Sequence, residues 1–127
     1  MRPMTGNPFL HLLGVQEDAA RDGRAELQLE ATDEHTNPSG AVHGGVLATL
    51  VDAAMGAAIR SLSDEGDTPA TSQLTITYLR PGKPGTLRVD AQVRKQGEHL
   101  TVCEANVEQD GEPLVHAVAT FAVLHSG

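Results

Sequence analysis

Residues 43–60, HGGVLATLVDAAMGAAIR, decide how this chain folds. No proline interrupts the run, and alanine, the strongest helix former, recurs through it. The spacing predicts one long helix. From Val46 to Ile59 it carries no Lys, Arg, Glu, Asn or Gln, and its only charged side chain is Asp52. A helix lying on a surface shows a polar face over two or three turns. This one is apolar or small all round, so it is expected to be wrapped by a sheet. Ala48, Ala53, Ala54, Gly56, Ala57 and Ala58 would allow the strands close approach. Asp52 then sits on a largely buried element. Burying a lone carboxylate costs several kcal/mol, so it needs partners or a purpose. A solvent gap or a structural hydrogen bond would also meet that need.

Strand patterns surround the helix. Ala25, Leu27, Leu29 and Ala31 alternate with Arg24, Glu26, Gln28 and Glu30, the pattern of a half-buried strand. Residues 86–93 alternate as fully, within a strand expected over 86–95. Further strands are expected over 71–79, 100–108 and 114–124, and the turn-forming connections KQGEH and EQDGEP make the last three a meander. Residues 32–42 and 62–69 are expected to be loops. Residues 7–13 suit a short helix, with Asn7 as N-cap, Pro8 at the first position and Gly14 past its end. The order is short helix, strand or strands, long helix, four strands. That is an α+β chain with one antiparallel sheet packed on one long helix.

Composition excludes several functions. The chain has 127 residues, the size of one domain spanning 1–127, and enough to bury a core without staples. Nine basic against 17 acidic residues give a formal charge of −8, which opposes binding to nucleic acid or an anionic membrane. Phe9, Tyr78 and Phe121 are the only aromatics, so no base-stacking platform is visible. A single cysteine, Cys103, excludes an internal disulfide and a cysteine-based zinc site, and it is expected to be a small packing residue. No apolar run is long enough to span a bilayer, and the N-terminus lacks the pattern of a secretory signal, so the expected location is the cytoplasm.

The helix start is a second chemical signal. His43-Gly44-Gly45 follows a Pro/Ser/Gly loop, and free backbone N–H groups at a helix N-terminus can polarise a carbonyl. Glycine lets a substrate come close, although it also serves a simple loop-to-helix turn. Gly44 and Asp52 are eight residues apart, about 12 Å along the axis, so one carbonyl cannot touch both in the same helix. If both serve one reaction, two antiparallel helices must lie side by side in a homodimer with two equivalent sites.

The run NPSGAVHGGVLATLVDAAMGAA, residues 37–58, followed by TSQLTITYLRPGKPGTLRV, residues 71–89, resembles hotdog-fold acyl-CoA thioesterases of the phenylacetate-degradation type. The likeness runs from PFLHLLGV to the final strand. The resemblance implies a hotdog fold, in which an antiparallel sheet wraps one central helix. It implies that Gly44 gives its N–H to the thioester carbonyl, that Asn37 helps to bind it, and that Asp52 of the partner subunit is general base or nucleophile. Thr71 would orient the attacking water and His43 would lie beside the thioester. It further implies hydrolysis of small acyl- or aryl-acyl-CoA, a dimer of dimers, no metal, and CoA only as part of the substrate. A carboxylate with an oriented water suffices for a weakly resonance-stabilised thioester, without a Ser-His-Asp triad.

Alternation puts Leu74, Ile76 and Tyr78 on one face with Ser72 and Thr71 on the other, and does not say which face lines the site; the resemblance favours Thr71. Gly45, Arg80 and Lys83 are the accompanying substrate-binding candidates. Arg80, Lys83 and the helix-terminal Arg60 suit CoA phosphates, or are ordinary surface charges. Tyr78 is expected in the core. A non-catalytic acyl-CoA sensing module on the same fold is the alternative function; a hydratase or dehydratase ranks behind it.

Overall fold

The computed structural model describes residues 2–125. Seven strands form one antiparallel sheet: β1 (Arg2–Pro3), β2 (Gln16–Arg21), β3 (Arg24–Ala31), β4 (Thr68–Tyr78), β5 (Gly85–Gln96), β6 (Leu100–Gln109) and β7 (Glu112–Leu124). Their order is β1-β2-β3-β5-β6-β7-β4. The long helix, α2 (Gly44–Arg60), lies between β3 and β4 in the chain and packs across β3, β5, β6 and β4. The short helix α1 (Pro8–Leu13) begins where Asn7 Oδ1 accepts the Leu10 N–H and ends at Gly14, with φ of 89°. This is the hotdog architecture expected from the sequence, and β5-β6-β7 are the expected meander.

The sheet's inner face is continuous. Leu27, Val89, Val107 and Val115 stand in register across β3, β5, β6 and β7, and all are at most 2 % exposed. They close on Leu47, Leu50, Val51, Ala54 and Met55 of α2. Cys103 belongs to this core, as expected, and burial pushes its thiol up to about 11.

Three expectations need correction. The strand after the helix starts at Thr68, so the polar loop is shorter than 62–69. A hairpin stands before Arg24, because Asp22 and Gly23 both adopt positive φ, 54° and 77°, as a two-residue turn between β2 and β3 requires. The sheet also covers only one side of α2. Ala48, Thr49, Asp52 and Ala53 recur at helical spacing and stay half-buried, while Gly45 is exposed. Of the small side chains that suggested all-round wrapping, Ala48 and Ala53 lie on this uncovered stripe, while Ala54, Gly56, Ala57 and Ala58 are buried; Asp52 lies on the stripe rather than in the core.

Candidate active site

Asp52 and Thr71 are brought together within one chain. Thr71 Oγ1 donates a 2.6 Å hydrogen bond to Asp52 Oδ1. Strict alternation separates Thr71 from Leu74, Ile76 and Tyr78, but β4 shifts register against β7 between Thr71 and Gln73. Thr71 pairs with Phe121, Leu74 with Ala119, Ile76 with Ala117 and Tyr78 with Val115, all inward residues of β7. The bulge at Ser72 absorbs one residue, so Thr71 joins the face of Leu74, Ile76 and Tyr78. Asp52 and Thr71 open on a cleft of about 220 Å³ whose walls include Phe9, Leu10, Ala53 and Phe121.

The helix N-terminus is a separate place. His43 is the N-cap, and its Nδ1 accepts the Gly45 N–H at 2.9 Å. A neutral His43 ring therefore carries its proton on Nε2. The His43 carbonyl accepts from Val46 at 2.9 Å and from Leu47 at 3.3 Å. Among the described residues nothing accepts the Gly44 N–H, so it is the free donor of the first turn. The Gly44–Gly45 peptide is held from both sides, because Tyr78 Oη donates to the Gly44 carbonyl at 2.9 Å while His43 takes the Gly45 N–H. Tyr78 is thus no core residue. It ends an edge strand, is 51 % exposed, and braces the start of α2.

Asn37 orders the preceding loop. Its Oδ1 accepts from Ser39 N at 3.0 Å, Ser39 Oγ at 2.6 Å and Ala41 N at 3.3 Å, which leaves Nδ2 as its outward donor. Asn37, Gly44, Leu47, Tyr78 and Arg80 line a second cleft, of about 320 Å³. Arg80 also pairs with Glu112. Lys83 lines neither cleft; buried Gln109 clamps its backbone, accepting from Lys83 N at 3.0 Å and donating to Lys83 O at 2.7 Å. His35 was not anticipated. Its Nδ1 accepts from Thr32 N at 2.9 Å, its Nε2 donates to Leu13 O at 2.8 Å, and its carbonyl accepts the His43 N–H at 2.8 Å. It joins α1 to the helix start through the fold, which sequence spacing does not reveal. Among the described residues no group of three His, Cys, Asp or Glu side chains could hold a metal ion.

One chain therefore presents a hydrogen-bond donor site at Gly44 and Asn37 and a carboxylate site at Asp52 and Thr71, in two clefts. Comparison with known proteins gives the family. Residues 39–116 match the family model described as the thioesterase superfamily. A protein of Halobacterium salinarum, provisionally named an esterase, is 38 % identical over 120 residues, covering 87 % of this chain and 79 % of its own length. The acyl-coenzyme A thioesterase PaaI of Escherichia coli is 34 % identical over 96 residues, covering 75 % and 66 %. Among solved structures, a thioesterase family protein of Silicibacter pomeroyi superposes with a TM-score of 0.89 at 30 % identity, over 95 % of this chain and 92 % of that one. A hypothetical thioesterase of Streptococcus pneumoniae, solved with coenzyme A, superposes with a TM-score of 0.80 at 28 % identity, over 88 % and 91 %. The chain belongs to the thioesterase superfamily, alongside the hotdog-fold acyl-CoA thioesterases of the phenylacetate-degradation type.

Proposed function

We propose that this chain hydrolyses thioesters of coenzyme A with small acyl or aryl-acyl groups, at two equivalent sites shared between two copies of the chain. The observation that carries the reading is the division of labour along α2. The free Gly44 N–H suits a developing oxyanion, and the Asp52–Thr71 pair suits activation of a nucleophile. The two stand about 12 Å apart along one helix, beyond the reach of one carbonyl. The uncovered stripe of α2 and the open edge of β4 support an antiparallel pairing that brings Gly44 of one copy to Asp52 of the other.

In this arrangement the Gly44 N–H and Asn37 Nδ2 bind the thioester oxygen. Asp52 takes a proton from water as the water attacks the carbonyl carbon, and Thr71 holds the carboxylate in place. The C–S bond then breaks, and the CoA thiolate leaves as the thiol after protonation. His43 lies beside the leaving group, Gly45 gives the backbone a close approach, and Arg80 and Lys83 serve the CoA phosphates. CoA enters as part of the substrate rather than as a resident cofactor. Two such dimers form a tetramer, and the enzyme works in the cytoplasm. Among the described residues no helix is long and apolar enough to cross a membrane.

The test is thiol release from short, medium, long-chain and aryl-acetyl CoA thioesters by the wild type and by Asp52→Asn. The expected result is turnover of the smaller substrates, lost in the variant with the fold retained. Binding of CoA thioesters without turnover would make the protein a sensing module instead. A fully active monomer would defeat the shared site.

A further inference from the structure

We propose that the Asp52 cleft selects short acyl groups ending in a carboxylate, and that Arg60 is the residue that selects them; this rests on the reading that the thioester carbonyl reacts beside Asp52. Asp52, Gly56 and Arg60 follow one another at four-residue intervals along a single face of α2. All three line the cleft that holds Thr71. Arg60 ends the helix and is exposed, with room to extend into water. Instead its guanidinium folds back over Gly56, with Nη1 3.7 Å from where a Cβ at Gly56 would stand. That the position carries glycine keeps the cleft floor open under the guanidinium.

Among the described residues no carboxylate pairs with Arg60, nor with Arg21, Arg24 or Arg88, and of these four only Arg60 lines the cleft that holds Asp52. A cation at the end of the helix would complement the helix dipole in any orientation. The dipole does not require a guanidinium laid over a cleft walled by Phe9, Leu10, Ala53 and Phe121. A carboxylate entering this cleft can form a charge-assisted bidentate pair with the guanidinium.

The geometry also sets the length. Gly56 lies one helical turn beyond Asp52, so the guanidinium stands roughly 6 Å from the reacting end. A charge-assisted N–H···O contact takes up roughly 2.8 Å of that distance, and at roughly 1.2 Å per bond about three bonds of extended chain span the rest. A malonyl group fits this span.

The experiment compares malonyl-CoA with propanoyl-CoA, which has the same number of carbons and no distal charge. Steady-state kinetics are measured on the wild type, Arg60→Gln and Arg60→Lys. The wild type should prefer malonyl-CoA by about tenfold or more in kcat/KM. Arg60→Gln should bring the ratio close to one, chiefly through KM, and Arg60→Lys should restore part of it. Because each ratio is internal to one variant, a general loss of folded protein cancels. A wild-type ratio near one, or a ratio unchanged in Arg60→Gln, would overturn the proposal. The non-hydrolysable thioether analogues of both substrates are titrated in parallel by calorimetry. If neither thioester is hydrolysed, the hydrolytic reading fails, and the ratio of the two Kd values still decides for or against Arg60.

Discussion

Thr71 Oγ1 donates to Asp52 Oδ1 at 2.6 Å, and this contact exists because β4 bulges at Ser72. The bulge turns the strand by one residue, so that a hydroxyl from the sheet edge meets the carboxylate on the uncovered stripe of α2. The pair is local to one chain and waits in the cleft before any second copy arrives.

Thr71→Val should therefore lower kcat by about ten- to a hundredfold, the range of a lost charge-assisted hydrogen bond, with the fold retained. Thr71→Ser should recover most of the rate, and Ser72→Ala should change it little. Steady-state kinetics with circular dichroism check this ordering. A larger defect in Ser72→Ala than in Thr71→Val would assign the role to the wrong side of the bulge.

Tyr78 acts through Gly44. Its hydroxyl holds the Gly44 carbonyl at 2.9 Å, and its ring carbons lie 3.5 and 3.6 Å from where a Cβ at Gly44 would stand. Tyr78→Phe keeps the ring contact and removes the donor. We expect a loss of roughly 1 kcal/mol in stability and, on the proposed role of the Gly44 N–H in binding the developing oxyanion, a severalfold fall in kcat with KM nearly unchanged. Thermal melts and initial rates measured together separate the two effects. A loss confined to stability would leave Tyr78 a structural brace alone.

Asp90 makes the sheet's outer face sensitive to pH. It stands in register between Glu26 and Asn106. Burial among these side chains raises its pKa, against the hydrogen bond from Asn106, and Glu108 and Glu104 raise it further. The folded chain thus binds this proton more tightly than the unfolded chain, and stability falls as pH rises through the carboxylate range. Asp90→Asn should melt higher than the wild type near neutral pH. The difference should shrink as pH falls below the ordinary aspartate value. Melting curves across that range test the sign, and a lower melting point for the variant at neutral pH would refute it.

The architecture is legible in the residues alone. The long run of apolar and small residues within 43–60 demanded cover from a sheet, and the clean alternation in 24–31 and 86–93 said which residues would supply it. Periodicity reports such features because each depends on only a few neighbouring residues. The Asp22-Gly23 turn was equally local, yet the short polar strand before it, Gln16–Arg21, carries too little apolar alternation to declare itself. The tertiary structure decided the rest. That Asp52 lies on an open stripe follows from where the sheet ends, which no window of residues encodes. The face on which Thr71 lies depends on how β4 pairs with β7, roughly fifty residues away, and one bulge inverts the answer. Tyr78 leaves the core for the same reason: it ends an edge strand, where a side chain on the inward face meets the start of the helix instead of a neighbouring strand.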